Sequence, residues 1–149
     1  MNQIERASVK DHGVVTSLLL EFSATQGWKP EVDRDHWDRV MAELLNSDSW
    51  CFLLAYEDAE PIGLAAVNWF LTLYGSREQV RLVALMVDVE HRRHGVGTLL
   101  MESVIAAARR RGCRELEASV DPSEGGLISF YRRFTHPSER LLLSWPCEE

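Results

Sequence analysis

No apolar run in this chain approaches the ~20 residues a membrane-spanning helix needs, so no membrane span is expected. The opening MNQIERASVKDHG lacks an apolar core segment, and no signal peptide is expected. Cysteine is scarce. Cys51, Cys113 and Cys147 form no C-x-x-C pair, and an odd count without metal-like spacing predicts reduced structural thiols in a cytoplasm and no metal site. Internal repeats, low-complexity tracts and linker-like stretches are missing too, so residues 1–149 read as one domain. Positive charge is outnumbered, 16 Lys and Arg against 23 Asp and Glu, for a net charge of −7. That excess argues against general nucleic-acid binding and is compatible with attracting a cationic amine.

What is present is enough for a packed core: 149 residues, 46% of them hydrophobic and 26% charged. The most informative stretch is Val80–Gly112. The apolar run Leu82–Val87 suits a strand covered on both faces. A polar, basic turn follows from Glu90 to His94, then Gly95 and Gly97. Val96, Leu99, Leu100, Val104, Ala107 and Ala108 recur at helical spacing until Gly112 stops them. The opening turn of such a helix carries N–H groups without a carbonyl partner and the positive end of the dipole. Two residues without a Cβ let a ligand approach the main chain, and Arg92, Arg93 and His94 add charge. This is an anion site, suited to a phosphate or pyrophosphate.

The remaining elements read in order. Gln3–Ala7 is a short first strand, and Ser8-Val9-Lys10-Asp11 is a capping box opening a helix with Val14, Val15, Leu18, Leu19 and Phe22 on its apolar face, ended by Gly27. A second helix spans about Asp33–Leu45, with Trp37, Val40, Met41, Leu44 and Leu45 inward. Trp50–Tyr56 and Ile62–Phe70 form a hairpin across the polar turn Glu57–Pro61, and a second connection, Leu73–Arg77, leads to the Val80 strand. After Gly112, residues Arg114–Asp121 alternate as a half-buried strand, Leu127–Phe134 is a short helix closed by Pro137, and Leu141–Trp145 is a last strand.

The glycine turn does not complete the dinucleotide-binding fingerprint, whose third glycine is Leu100 here, and no G-K-[ST] follows it. The pattern Arg92-Arg93-His94-Gly95-Val96-Gly97 instead fits R/Q-x-x-G-x-G/A directly after a core strand. It resembles motif A of the GNAT superfamily, the acyl-CoA-dependent N-acyltransferases, and Leu85-Met86-Val87-Asp88 resembles that family's strand before the turn. The element order of nearly the whole chain agrees.

The resemblance implies an α+β fold: a central, mostly antiparallel mixed sheet with helices on both faces and a splayed parallel pair, Leu82–Val87 and Leu116–Val120. It implies acetyl-CoA as cosubstrate. The main chain of Leu85, Met86 and Val87 would hold the pantetheine arm and acyl carbonyl, and the turn Arg92, Arg93, His94, Gly95, Val96, Gly97 and Thr98 would hold the pyrophosphate. The region between the first two helices would line the acceptor site, which singles out Phe22, Trp28 and Trp37. Phe130-Tyr131 resembles the family's F-Y pair, making Tyr131 the general acid that protonates the leaving thiolate. Where relatives carry a basic Glu on the strand before the turn, this chain has Val83 and Ala84, so Glu78 or Glu117 is left to act through water. The usual Asn before the F-Y pair is replaced by Pro122, Ser123 and Glu124, and the F-Y-x-x-x-G-F ending is cut to Phe130–Phe134 without its glycine.

The implied activity is acetyl transfer from acetyl-CoA to a primary amine of a small cationic molecule. The alternatives are a peptide or protein amine and a catalytically silent acyl-CoA-binding module. Relatives are often dimers, so a homodimer is also implied, with Leu141–Trp145 as a strand that pairs or swaps.

Overall fold

The computed structural model describes residues 2–25, 33–73, 77–134 and 137–148. Its elements are β1 (Gln3–Arg6), α1 (His12–Thr25), α2 (Arg34–Leu45), β2 (Trp50–Glu57), β3 (Glu60–Leu71), β4 (Glu78–Val87), α3 (Val96–Arg111), β5 (Leu116–Ala118) and α4 (Gly125–Arg132). Main-chain proximity divides them into two compact units, residues 1–117 and 118–149. Among the described residues, no helix is long and apolar enough to cross a membrane.

In the first unit the sheet order is β1-β2-β3-β4-β5. The β1–β2, β2–β3 and β3–β4 pairs are antiparallel. β5 joins β4 as the parallel pair, through Arg114 N–H on the Glu78 carbonyl and Val80 N–H on the Glu115 carbonyl, both 3.1 Å. So the sheet is mixed and mostly antiparallel, as the resemblance implies.

Period-two alternation sorts β2 and β3 onto two cores. Phe52, Leu54, Leu64 and Ala66 face Val15, Leu18 and Phe22 of α1 and Met41 of α2. The odd-numbered residues of β3 face the other way. A Cβ added to Gly63 would lie 3.1 Å from Leu100 Cδ1 and 3.4 Å from Val96 Cγ1, so α3 covers the opposite face. Gly63 allows that close approach, and Gly63→Ala is expected to cost about 1–2 kcal/mol, since the Met86 carbonyl 3.1 Å away is backbone and cannot yield cheaply. Chemical denaturation at unchanged m-value checks it.

The helix ends follow their residues. The Asp11 carboxylate accepts from the Ser8 N–H at 2.7 Å, closing the expected capping box around a single turn, Val9–Asp11, ahead of α1. Asp33 caps α2 by accepting from Asp35 N–H at 3.0 Å. Gly112, at φ 77°, terminates α3. The expected end of α1 at Gly27 lies outside the described residues, as do positions 74–76 of the connection before β4.

Three expectations are corrected. The polar stretch Glu57–Pro61 is a two-residue turn, because Glu57 pairs with Glu60. Both central residues, Asp58 (φ 47°) and Ala59 (φ 68°), have positive φ, which matches the right-handed strand twist. A Cβ at that φ is strained, so Ala59→Gly is expected to stabilise the fold by about 0.5–1 kcal/mol, read as a rise in the denaturation midpoint. The strand after α3 ends at Ala118 rather than running on through Val120. Residues 137–148 form neither helix nor strand, so Leu141–Trp145 is not a last strand. Leu141, Leu142, Leu143 and Trp145 are 61–85% exposed: an apolar run makes a strand only when a neighbour supplies the ladder.

Candidate coenzyme site

β4 carries an irregularity that its apolar sequence conceals. Ala66 pairs with Ala84 while Val67 pairs with Leu82, so Val83 is an extra residue, a β-bulge, and its side chain is 51% exposed. Before the bulge, even-numbered residues turn their main chain away from β3. Glu78 and Val80 spend those groups on the β5 segment. Beyond it the phase flips. Asp88 N–H donates to the Ile62 carbonyl at 2.8 Å, so by antiparallel alternation Met86 and Ala84 bond to β3, while Leu85 and Val87 point their N–H and C=O outward. The outward Val87 carbonyl accepts from Arg92 Nε at 2.9 Å.

Of the strand residues named from sequence, then, Leu85 and Val87 present main-chain groups at the outer edge. Met86 does not: its main chain faces Leu64 and its side chain packs against the α1–α2 core. Among the turn residues, Arg92, Arg93, His94 and Gly95 are exposed. Val96 buries its side chain to 2% exposure, so only its main chain faces the turn. Arg93 (φ 63°) and Gly95 (φ 85°) both have positive φ, which bends the chain sharply into α3. The first intrahelical bond is Leu99 N–H to the Gly95 carbonyl at 3.0 Å, so the N–H groups of Val96, Gly97 and Thr98 project from the helix end. A Cβ added to Gly95 meets no protein atom within 4 Å. Outward strand amides, projecting helix amides and two exposed guanidinium-bearing residues fit a ligand with an amide-rich arm and a diphosphate.

The sequence missed His91. Its Nδ1 lies 2.6 Å from Asp88 Oδ2 and its Nε2 3.1 Å from Glu57 Oε2. The hydrogen bond to Asp88 leads in raising the imidazole above its ordinary pKa, and the Glu57 charge adds to it. Sequence spacing gives no hint of this, because Glu57 arrives from the far end of another strand.

The two carboxylates considered as bases are both engaged. Arg111 grips Glu78 with two bonds, 2.6 and 2.9 Å, and that hydrogen bonding holds the carboxyl below its usual range. Arg111 also stacks over Trp69, 4.7 Å from the ring centroid. Glu78 thus sits at the C-terminal end of α3, a 16-residue helix, about 24 Å from the glycine turn at the other end. Glu117 pairs with Arg81 at 2.6 Å.

The acceptor-side aromatics divide. Phe22 is 2% exposed in the α1–α2 core, so its contribution is packing, worth about 1.5–3 kcal/mol of burial. Trp37 lines a small cavity with Thr16, Leu19, Leu20 and Ser23. Trp28 lies outside the described residues. Of the cysteines, Cys51 is buried as a structural thiol should be, and Cys147 is exposed.

In the second unit, Tyr131 is on α4, half-buried, edge-on to Phe130 at 5.4 Å. Phe130 meets Phe134 at 5.1 Å and lies under Arg133. Burial raises the Tyr131 phenol above its ordinary range, and Glu124 adds to the rise. Ahead of α4, Asp121 accepts from the N–H and hydroxyl of Ser123 at 2.8 and 2.6 Å.

Both the sequence and the fold are similar to those of known proteins. The sequence profile of the acetyltransferase (GNAT) family matches residues 14–135. An uncharacterized N-acetyltransferase of Methanocaldococcus jannaschii is 29% identical over 132 residues, covering 86% of this chain and 58% of that protein. N-acetyltransferase family 8 member 3 of Mus musculus is 28% identical over 118 residues, covering 77% of this chain and 52% of that protein. The chain thus spans about half the length of the curated relatives it matches. Among solved structures, an aminoglycoside acetyltransferase from an uncultured soil metagenomic sample, in complex with sisomicin, superposes with a TM-score of 0.86 at 19% identity, covering 99% of this chain and 96% of that one.

Proposed function

The chain belongs to the acetyltransferase (GNAT) family, and we propose that it transfers an acetyl group from acetyl-CoA to a primary amine of a small cationic molecule, by direct attack of the amine in a ternary complex. The observation that carries this reading is the phase flip at Val83, which turns the Leu85 and Val87 main chain outward beside the projecting amides of Val96–Thr98. In this reading the pantetheine amides bond to Leu85 and Val87, the pyrophosphate sits on the helix end, and Arg93 adds charge. Acetyl-CoA supplies the thioester. The attacking nitrogen forms a bond to the acetyl carbon, the C–S bond breaks, and the thiolate takes a proton. Tyr131 donates toward that sulfur. The acceptor class rests on the net charge of −7 and on the sisomicin-bound structural relative. We assign neither Glu78 nor Glu117 as base, since each is held by an arginine, and the amine would lose its proton to water.

That same engagement of both carboxylates favours a second reading, a module that binds acyl-CoA without turning it over. One experiment separates them: acetyl-CoA is mixed with a panel of cationic amines, amino sugars and peptides, and thiol release is followed. Acceptor-dependent release with acetylated product supports transfer, tight binding without release across the panel supports the silent module, and no coenzyme A binding rejects both.

A further inference from the structure

His91 links the turn before the glycine bend to two strands through its side chain. Asp88 directly follows β4, Glu57 ends β2, and His91 itself closes the single turn Val89–His91 that leads into the glycine bend. We propose that His91 is a positioning residue for the diphosphate turn: its imidazolium bridges Asp88 and Glu57, pinning the turn to the sheet, so that affinity for a pyrophosphate-bearing ligand falls as pH rises and the bridge loses its proton. The proposal rests on the coenzyme reading of the turn given above.

Two effects of deprotonation act in the same direction. Both ring nitrogens face carboxylates, and a neutral imidazole donates from only one of them, so the other contact turns from hydrogen bond to repulsion. The Asp88–His91–Glu57 group also gains one negative charge next to an anion site. The groups facing the imidazole are Glu57 from β2, Asp88 directly after β4, and Glu90, His94 and Asn2 around the shared polar cavity, with Val96 of α3 beneath. Because the folded imidazole titrates above its ordinary value, the bridge is complete below about pH 6.5 and is lost as pH rises through the raised value.

The test is calorimetric titration of the full chain with 3′-dephospho-coenzyme A between pH 5.5 and 8. This probe lacks the phosphate monoester, whose own ionisation near pH 6 would obscure the slope. The native protein is expected to bind about tenfold more weakly at pH 8 than at pH 6, the scale of one charge-assisted bond. His91→Gln is expected to bind weakly and without that slope. It retains His94, so the difference between the two curves belongs to His91. His91→Arg, permanently charged, should bind tightly across the range, and Glu57→Gln should move the native inflection to lower pH. A native slope in His91→Gln, binding by that variant at pH 6 as tight as native, or an unmoved inflection in Glu57→Gln overturns the proposal alone. A native protein that binds no ligand at any pH overturns the coenzyme reading and this proposal with it.

Discussion

Gly95→Val is expected to leave the protein folded and weaken coenzyme A binding by about a hundredfold, close to 2.7 kcal/mol. Gly95 has φ 85°, where a Cβ residue is strained by roughly 1–2 kcal/mol and a β-branched one by more. An added Cβ meets no protein atom within 4 Å, so the main cost to the fold is that backbone strain. The ligand is affected in two further ways. Relief of strain rotates the peptide planes leading into Val96, Gly97 and Thr98 and misaims their N–H groups. In the proposed binding mode the valine methyls would also stand where the diphosphate touches the main chain. Gly112→Val is the control: φ is 77° there, an added Cβ is equally uncrowded, and the residue closes the opposite end of the same helix. Its stability should fall by a similar amount with coenzyme A affinity unchanged. Equal affinities for the two variants would mean that strain alone, rather than ligand approach, governs the turn.

That turn was legible in the sequence because its signals are local. A covered strand, a basic bend, two glycines and a 3.6-residue repeat lie within one continuous stretch, and each constrains the next. The features that complete the site are not local. The Val83 bulge is one inserted residue in an unbroken apolar run, and hydrophobicity looks the same on either side of it. Only the partner strand reveals that the outward phase has moved from even to odd residues, which is why sequence alone groups Met86 with Leu85 and Val87. Glu57 and His91 meet only through the register of a three-stranded sheet. Phe22 shows the limit of composition: an aromatic on an amphipathic helix fits a pocket wall and a core equally well, and at 2% exposure it is core. The final segment Leu141–Trp145 reads as a strand from its apolar run, but an apolar run supplies no ladder. In sequence the carboxylates Glu78 and Glu117 look available because their arginine partners, Arg111 and Arg81, lie far away along the chain.

Tyr131→Phe is expected to lower kcat about a hundredfold with little change in coenzyme A affinity. General acid–base catalysis spans roughly 10²–10⁴-fold, and the expected effect falls at the lower end for a thermodynamic reason. A thiol has an ordinary pKa of about 8.5 and a phenol about 10, and burial with Glu124 nearby moves Tyr131 higher still. Complete proton transfer from phenol to thiolate is therefore uphill by more than about 1.5 units, or about 2 kcal/mol. In the proposed reaction Tyr131 would instead offer a hydrogen bond that strengthens as negative charge builds on sulfur, followed by proton exchange with water. The raised pKa also bears on the pH profile: the phenol titrates above its ordinary value of about 10, so it would not set the alkaline limb of kcat in the native protein. Tyr131→Phe should therefore lower the whole profile without shifting its limbs. The aromatic contact with Phe130 survives this substitution, so stability should move by less than about 1 kcal/mol. A thioester analogue with a more acidic leaving thiol needs less help at sulfur, and with it the difference between native and Tyr131→Phe should shrink. If the variant keeps full turnover with acetyl-CoA, or loses equal rate with both thioesters, the phenol does not act at the leaving group.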